Sequence, residues 1–348
     1  MKIGSKETTI NILFFTPYYK ENRGNSTTAK RIVKGLRERG ATVKVFAYEE
    51  EDWTVECESF FHNADIYHVI HLKRFAMWLN KQSLELKKPY ILTSGGTDIN
   101  EDIKNPEALK LMNAVAYHSC AVTVFSEEAK ETIIQANSLL ADRVFVIPQS
   151  VELPEAVGCE VNLIGEPIFL LPAGLRPVKD VFYLWDELVK LRSKLPHLTF
   201  YIIGPVLDED VHQEVINREK ANNWFHYLNV VPLDQMRAFY TKSDFVLNTS
   251  ISEGQSAAVL EAMLSGKVVL ARNNTGNASV ITDQVNGVLY ENPVDFHDKL
   301  IKLVESQKLT AEISRNAEAY IKQYHSLQKE MDQYEEVYTH CLEDVVAT

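Results

Sequence analysis

The sequence predicts an α/β protein made of two doubly wound halves, and three observations carry that prediction. Short apolar runs alternate with longer amphipathic stretches, the rhythm of βαβ units around a mostly parallel sheet. One lapse in that rhythm, the Pro-, Gly- and Glu-containing stretch VELPEAVGCEVNLIGEP, divides it into two series. The length of 348 residues is sufficient for two domains, each with its own core.

The first series reads as strands over 10–16, 43–47, 66–71, 90–93, 121–125 and 144–147, with an amphipathic helix over 27–39. The second reads as strands over 167–171, 198–203, 225–230, 245–248, 268–271 and 288–290, with helices over 181–192 and 257–264. The expected organisation is a Rossmann-like domain over 1–150, a linker over 151–166 and a second Rossmann-like domain over 167–307. Charged helices over 308–348 are expected to pack across the domain junction.

Composition narrows the function. Lys plus Arg number 36 against 48 Asp plus Glu, and the resulting net charge of −12 argues against a broad grip on nucleic acid or anionic lipid. Any anion must be held locally. Cys57, Cys120, Cys159 and Cys341 form no CxxC pair, which argues against a disulfide framework or zinc ribbon and fits a reducing compartment. With no leader-like N-terminus and no 18-residue apolar segment, the expectation is a cytoplasmic protein without a transmembrane segment.

In open parallel sheets ligands bind beyond the carboxyl ends of the strands, so the informative residues are those just after strands. SEGQSAAVLEAM, over 252–263, follows the strand FVLN and enters an apolar helix. Glu253 and Glu261 stand eight residues apart, about 12 Å along a helix. Gly254, Ser256, Ala257 and Ala258 leave backbone N–H groups at the helix start, where a diphosphate can rest. The plainer reading makes Ser252 and Glu253 caps and Glu261 a solvated face. AGLRPVKD follows the strand IFLL and sets Arg176 close to Lys179, as a fork and a point cation for a diphosphate or as two solvated surface charges.

With these two segments, the chain from about residue 10 to 340 resembles the retaining nucleotide-sugar glycosyltransferases of family four, the glycosyl transferases group 1, whose fold is GT-B: two Rossmann-like domains facing a cleft. Glu253 and Glu261 reproduce the family's E-x7-E motif, and Arg176 with Lys179 its diphosphate cations. The resemblance implies that Glu253 contacts hydroxyls of the transferred sugar and Glu261 the ribose, while amides of Gln255, Ser256 and Ala257 meet phosphate or sugar. The main chain around Val230 occupies the place where the family reads the base, with uracil expected. Gly276, in the loop NNTGNA, lies where the family places small residues near the phosphates, or it permits a tight turn. The family usually has Gly-Phe-Gly where this chain has Gly254, Gln255 and Ser256.

In the first half, PYYKENRGNSTTAK resembles the family's glycine-rich loop, so Arg23, Gly24 and Asn25 would face the pyrophosphate or the acceptor; alternatively Gly24 makes a turn and Ser26 or Thr27 caps the next helix. SGGTDIN matches a loop that in many relatives reads His-Gly-Thr-Asp, with Gly95 in place of the histidine. Asp98 remains, for a polar contact to sugar or acceptor or for an Asx-type cap. His71 is a candidate replacement for the missing histidine, placed by strand alternation on the opposite face from His68.

The expected reaction is metal-independent, same-face transfer from a nucleotide diphosphate sugar, UDP-linked by resemblance, to an unknown hydroxyl acceptor, with no further cofactor. Its alternatives are a catalytically weak nucleotide-sugar binder or partner subunit and a GT-B sugar-nucleotide epimerase. A homodimer is compatible with the sequence.

Overall fold

The computed structural model describes residues 9–21, 24–82, 84–155, 158 and 160–346, and Arg23 and Cys159 lie outside them. The chain divides into two units, residues 1–150 with 327–348, and residues 151–326.

The first unit has six strands: β1 (Asn11–Thr16), β2 (Thr42–Ala47), β3 (Ile66–Ile70), β4 (Tyr90–Thr93), β5 (Ala121–Val124) and β6 (Val144–Val146). They pair parallel throughout, in the order β2-β1-β3-β4-β5-β6. Alternation along β1 feeds both faces: Leu13 and Phe15 enter one apolar cluster, Ile12 and Phe14 the other, and all four are fully buried. A parallel sheet covered on both sides needs such near-continuous apolar runs, which is why the strands were visible as runs in the sequence.

The final helix, Leu327–Val346, belongs to this unit. Arg31 makes a double hydrogen bond to the buried Glu330, whose Oε2 also accepts from the Ser150 backbone N–H at 3.2 Å. Tyr338 Oη lies 2.6 Å from His68 Nδ1, and Thr93 Oγ1 lies 2.7 Å from His68 Nε2. Burial pushes the His68 imidazole down to about 3, so it stays neutral and serves as a core hydrogen-bonding group.

The second unit also has six strands, in a different order: β7 (Ile168–Pro172), β8 (Thr199–Ile203), β9 (Phe225–Tyr227), β10 (Phe245–Asn248), β11 (Val268–Arg272) and β12 (Val288–Tyr290). The order is β12-β11-β10-β7-β8-β9, again all parallel. Phe169 and Leu171 of β7 face one cluster and Ile168 and Leu170 the other. Segment 151–155 is extended and tied to this unit, Val151 N donating to His325 O at 3.0 Å and Leu153 lying in the core. Helix Gln307–Tyr324 packs on helix Ala257–Leu264 of the same unit.

Most element ends fall within a residue or two of the sequence reading, and four differences have a visible local cause or extent. The first helix begins at Gly24 rather than 27, so Ser26 and Thr27 lie inside its first turn; Ser26 Oγ donates to the Glu21 carbonyl. β3 stops at Ile70 because His71 takes φ 72°, and β9 stops at Tyr227 with Asn229 at φ 54°, left-handed backbone that no strand continues through. The helix expected from 181 begins at Trp185, after a turn.

Candidate active site

In each sheet the strand order reverses at one place, the position beyond whose carboxyl ends open α/β sheets bind ligands. In the second sheet that place lies between β7 and β10, which run side by side with Phe169 opposite Phe245. The loop after β7 holds Arg176 and Lys179; the loop after β10 holds Ser250 and Glu253. Residues 74 positions apart thereby meet, and Lys179 Nζ lies 2.5 Å from Glu253 Oε1.

The Glu253 carboxylate has further donors: Ser250 Oγ at 2.7 Å and Asn248 Nδ2 at 3.3 Å. Burial alone would raise its carboxyl; the Lys179 ammonium and these donors outweigh burial and hold it below the usual carboxylate range. Asn248 links the loops: its amide also reaches Ser256 Oγ at 3.3 Å, and its carbonyl oxygen accepts from Asn277 Nδ2 at 3.0 Å. Gly276 is fixed by close approach, since a Cβ there would stand 2.3 Å from the Gly254 carbonyl oxygen and 2.4 Å from that of Glu253. The backbone of NNTGNA thus lies directly on that of SEGQS.

Helix Ala257–Leu264 starts beside these loops, its N-cap Ser256 within 3.3 Å of the Asn248 amide. Its N-cap, Ser256, makes no side-chain cap bond, so the first amides are not closed off by their own cap residue. Gln255 is buried, with Nε2 3.4 Å from Ser279 Oγ. Glu261, in the same helix, accepts from Tyr240 Oη at 2.8 Å, and Tyr240 is fully buried in helix Leu233–Lys242. Burial pushes the Glu261 carboxyl up to about 7, the Tyr240 hydroxyl offsetting only part of the rise. Two glutamates of one short segment are thus set apart by one cation.

Arg176 is exposed, and among the described residues no hydrogen bond or ion pair engages its guanidinium. The two cations of AGLRPVKD therefore differ, one held against a carboxylate and one reaching into solvent. Val230 is 48% exposed beyond β9; the neighbouring Asn229 carbonyl accepts from Gly204 N at 2.9 Å.

The first sheet reverses between β1 and β3, where His71 and the loop after β1 lie. His71 is 7% exposed, and its Nδ1 is buried without a hydrogen-bond partner, 3.6 Å from Asp98 Oδ2. Because His71 stands outside the strand in left-handed backbone, strand alternation does not set its direction. Asp98 turns inward: it accepts from Leu72 N at 3.0 Å, Gly96 N at 3.1 Å, Ile99 N at 3.2 Å and from Ser94 Oγ. These bonds brace the loop, with Asp98 inside the short helix Thr97–Asn100 rather than capping it. A Cβ on Gly95 would stand 2.3 Å from Phe125 Cδ2, so the Phe125 ring fills the space a histidine there would need. Arg74 lies over the Tyr18 ring at 5.6 Å and donates to its hydroxyl at 3.1 Å. Gly24 is exposed and Asn25 half-buried at the start of the first helix.

Sequence reasoning did not single out Asn248, Ser250 and Tyr240. The first two are polar residues ending an apolar strand just before the motif, a readable signal. Tyr240 carries none, being one aromatic in an amphipathic helix.

Residues 160–320 match the family of glycosyl transferases group 1. The matched residues lie within the second unit. Over nearly the whole chain the protein is similar to glycosyltransferase 1 domain-containing protein 1 of Xenopus tropicalis, 29% identical with 93% of this chain and 96% of that one covered. Among solved structures it resembles Anabaena HepE in complex with UDP-glucose, with TM-score 0.76, 18% identity, and 94% and 99% of the two chains covered. It also resembles sucrose-phosphate synthase of Thermosynechococcus elongatus, with TM-score 0.77, 12% identity, and 97% and 99% covered. The fold is GT-B, with two six-stranded parallel sheets. Among the described residues no three His, Cys, Asp or Glu side chains cluster as a metal site, and no helix is long and apolar enough to cross a membrane.

Proposed function

We propose that this protein transfers a sugar, with retention, from a uridine diphosphate sugar to a hydroxyl acceptor. The observation that carries the reading is the meeting of Lys179 with Glu253 at the switch point of the second sheet, beside the amide end of helix Ala257–Leu264. The UDP-glucose complex of Anabaena HepE supports the choice of donor.

In this reading Arg176, Lys179 and the amides of Gln255, Ser256 and Ala257 receive the diphosphate. Glu253 accepts from hydroxyls of the transferred sugar and Glu261 from the ribose. The main chain at Val230 meets the base, and Gly254 and Gly276 let backbone approach the phosphates. As the glycosidic bond breaks, charge gathers on the departing diphosphate, where the two cations and the helix end stabilise it in a partly dry crevice. No step uses a metal. The incoming hydroxyl attacks the face the diphosphate leaves, and a diphosphate oxygen takes its proton. His71, buried beside Asp98, supplies the polar contact that Gly95 cannot, and Gly24 and Asn25 flank the pyrophosphate or the acceptor.

A thermal-shift panel of sugar nucleotides tests the reading. A ligand at about 100 times its dissociation constant stabilises by about 2.7 kcal/mol, and a UDP-sugar is expected to produce that shift. No shift with any UDP-sugar would sink the donor assignment.

A further inference from the structure

We propose that Glu253 discriminates the loaded donor from the spent nucleotide, by competing with the diphosphate for the Lys179 ammonium. The proposal rests on the donor reading above and deepens it.

The Lys179 and Glu253 side chains are 15% and 10% exposed, and their charged atoms lie 2.5 Å apart. The Glu253 carboxylate is also anchored, accepting from Ser250 Oγ at 2.7 Å, and the backbone that carries Lys179 is held by Thr249 Oγ1, which donates to the Lys179 carbonyl at 2.8 Å. This is a fixed and largely desolvated pair, in which each charge acts strongly on anything brought beside it.

A nucleoside diphosphate placed at Lys179 gains one cation and meets one carboxylate. Nothing on that ligand satisfies the carboxylate, and its own charge repels it. A donor still carrying its sugar brings hydroxyl groups that donate to Glu253 while the phosphates take the ammonium, so both charges find partners together. Removing the carboxylate's charge therefore has opposite effects on the two ligands. A residue that merely binds sugar would weaken one and leave the other unchanged. After transfer, the Lys179–Glu253 contact favours departure of the nucleotide product.

The test measures binding of UDP and of UDP-glucose by calorimetry to the full chain, for wild type, Glu253→Gln and Glu253→Asp, at low salt and with folding checked by the thermal transition. Glu253→Gln is expected to tighten UDP about tenfold and to weaken UDP-glucose about tenfold, the scale of changing one close charge. Glu253→Asp, whose carboxylate is one methylene further from Lys179, is expected to tighten UDP to a smaller extent, and it carries the test if the glutamine variant does not fold. If wild type binds UDP and neither variant tightens it, the inference falls while the donor reading stands. Wild type that binds neither ligand overturns both.

Discussion

At the switch point of the second sheet the charged groups face one another. Lys179 holds Glu253 at 2.5 Å, and Arg176 projects into solvent nearby. At the switch point of the first sheet the one buried carboxylate is bound by backbone instead: Asp98 accepts from Leu72, Gly96 and Ile99, and His71 stands beside it with an unpartnered nitrogen. Two parallel sheets of different strand order thus carry a charge-dense loop cluster at one switch point and a braced loop with an unpartnered imidazole nitrogen at the other. Parallel sheets fix where a ligand site can form, while the loops decide its chemistry. Within the second unit the contrast repeats at closer range, since Glu253 is held low by a cation whereas Glu261, beside a neutral phenol, is pushed up to about 7.

The comparison breaks most readily at the cations. The double change Arg176→Ala with Lys179→Ala is expected to lower UDP-sugar affinity by about 100-fold or more, two charge-assisted contacts being lost, and to lower the melting temperature because Glu253 is left buried without its cation. Calorimetry that shows retained affinity would remove the second switch point as the diphosphate site. On the other side, His71→Ala is expected to lower turnover by about 10- to 100-fold while UDP affinity changes less than about twofold. Steady-state kinetics with the donor that gives the largest thermal shift checks this split, and an equal loss in both quantities would make the imidazole a structural group.

Glu261 sharpens the contrast through pH. Ribose hydroxyls need the ionised carboxylate, so UDP binding is expected to weaken as pH falls below about 7, by up to about tenfold per unit. The stability of the ligand-free protein runs the other way. A carboxyl raised in the folded state is most favourable to folding below its unfolded value, and that contribution is lost as pH rises toward about 7. Glu261→Gln is expected to remove both dependences, as read by calorimetry and thermal melts across pH 5 to 8. A pH-independent affinity in wild type would exclude Glu261 from the ribose contact. The smallest expected effect is at Gly95: Gly95→Ala pushes on the Phe125 ring and should cost about 1–3 kcal/mol in chemical denaturation without altering UDP affinity.

Much of this was legible along the chain. The strand runs could be read because strands buried on both faces are continuous apolar segments, and β4, β10 and β12 begin and end where those runs do. The spacing of Glu253 and Glu261 and the short interval from Arg176 to Lys179 were equally plain. Two strand ends were not. His71 and Asn229 adopt left-handed backbone without being glycine, a conformation held by their surroundings rather than signalled by residue type. The sequence left the role of Asp98 open because a carboxylate after a strand can serve a cap or a ligand, and its four protein donors are visible only in the folded chain.

The sequence by itself determined the alternating elements, the two series and the residue types stationed after the strands, because these depend on local periodicity and backbone preference. Tertiary structure alone decided which strands lie side by side. Setting β7 against β10 brought Lys179 to Glu253, and packing one helix beside another brought Tyr240 to Glu261. Those partnerships set the charge state of each glutamate, since the field at a buried carboxyl depends on what lies within a few ångströms of it in space, however far away in the chain.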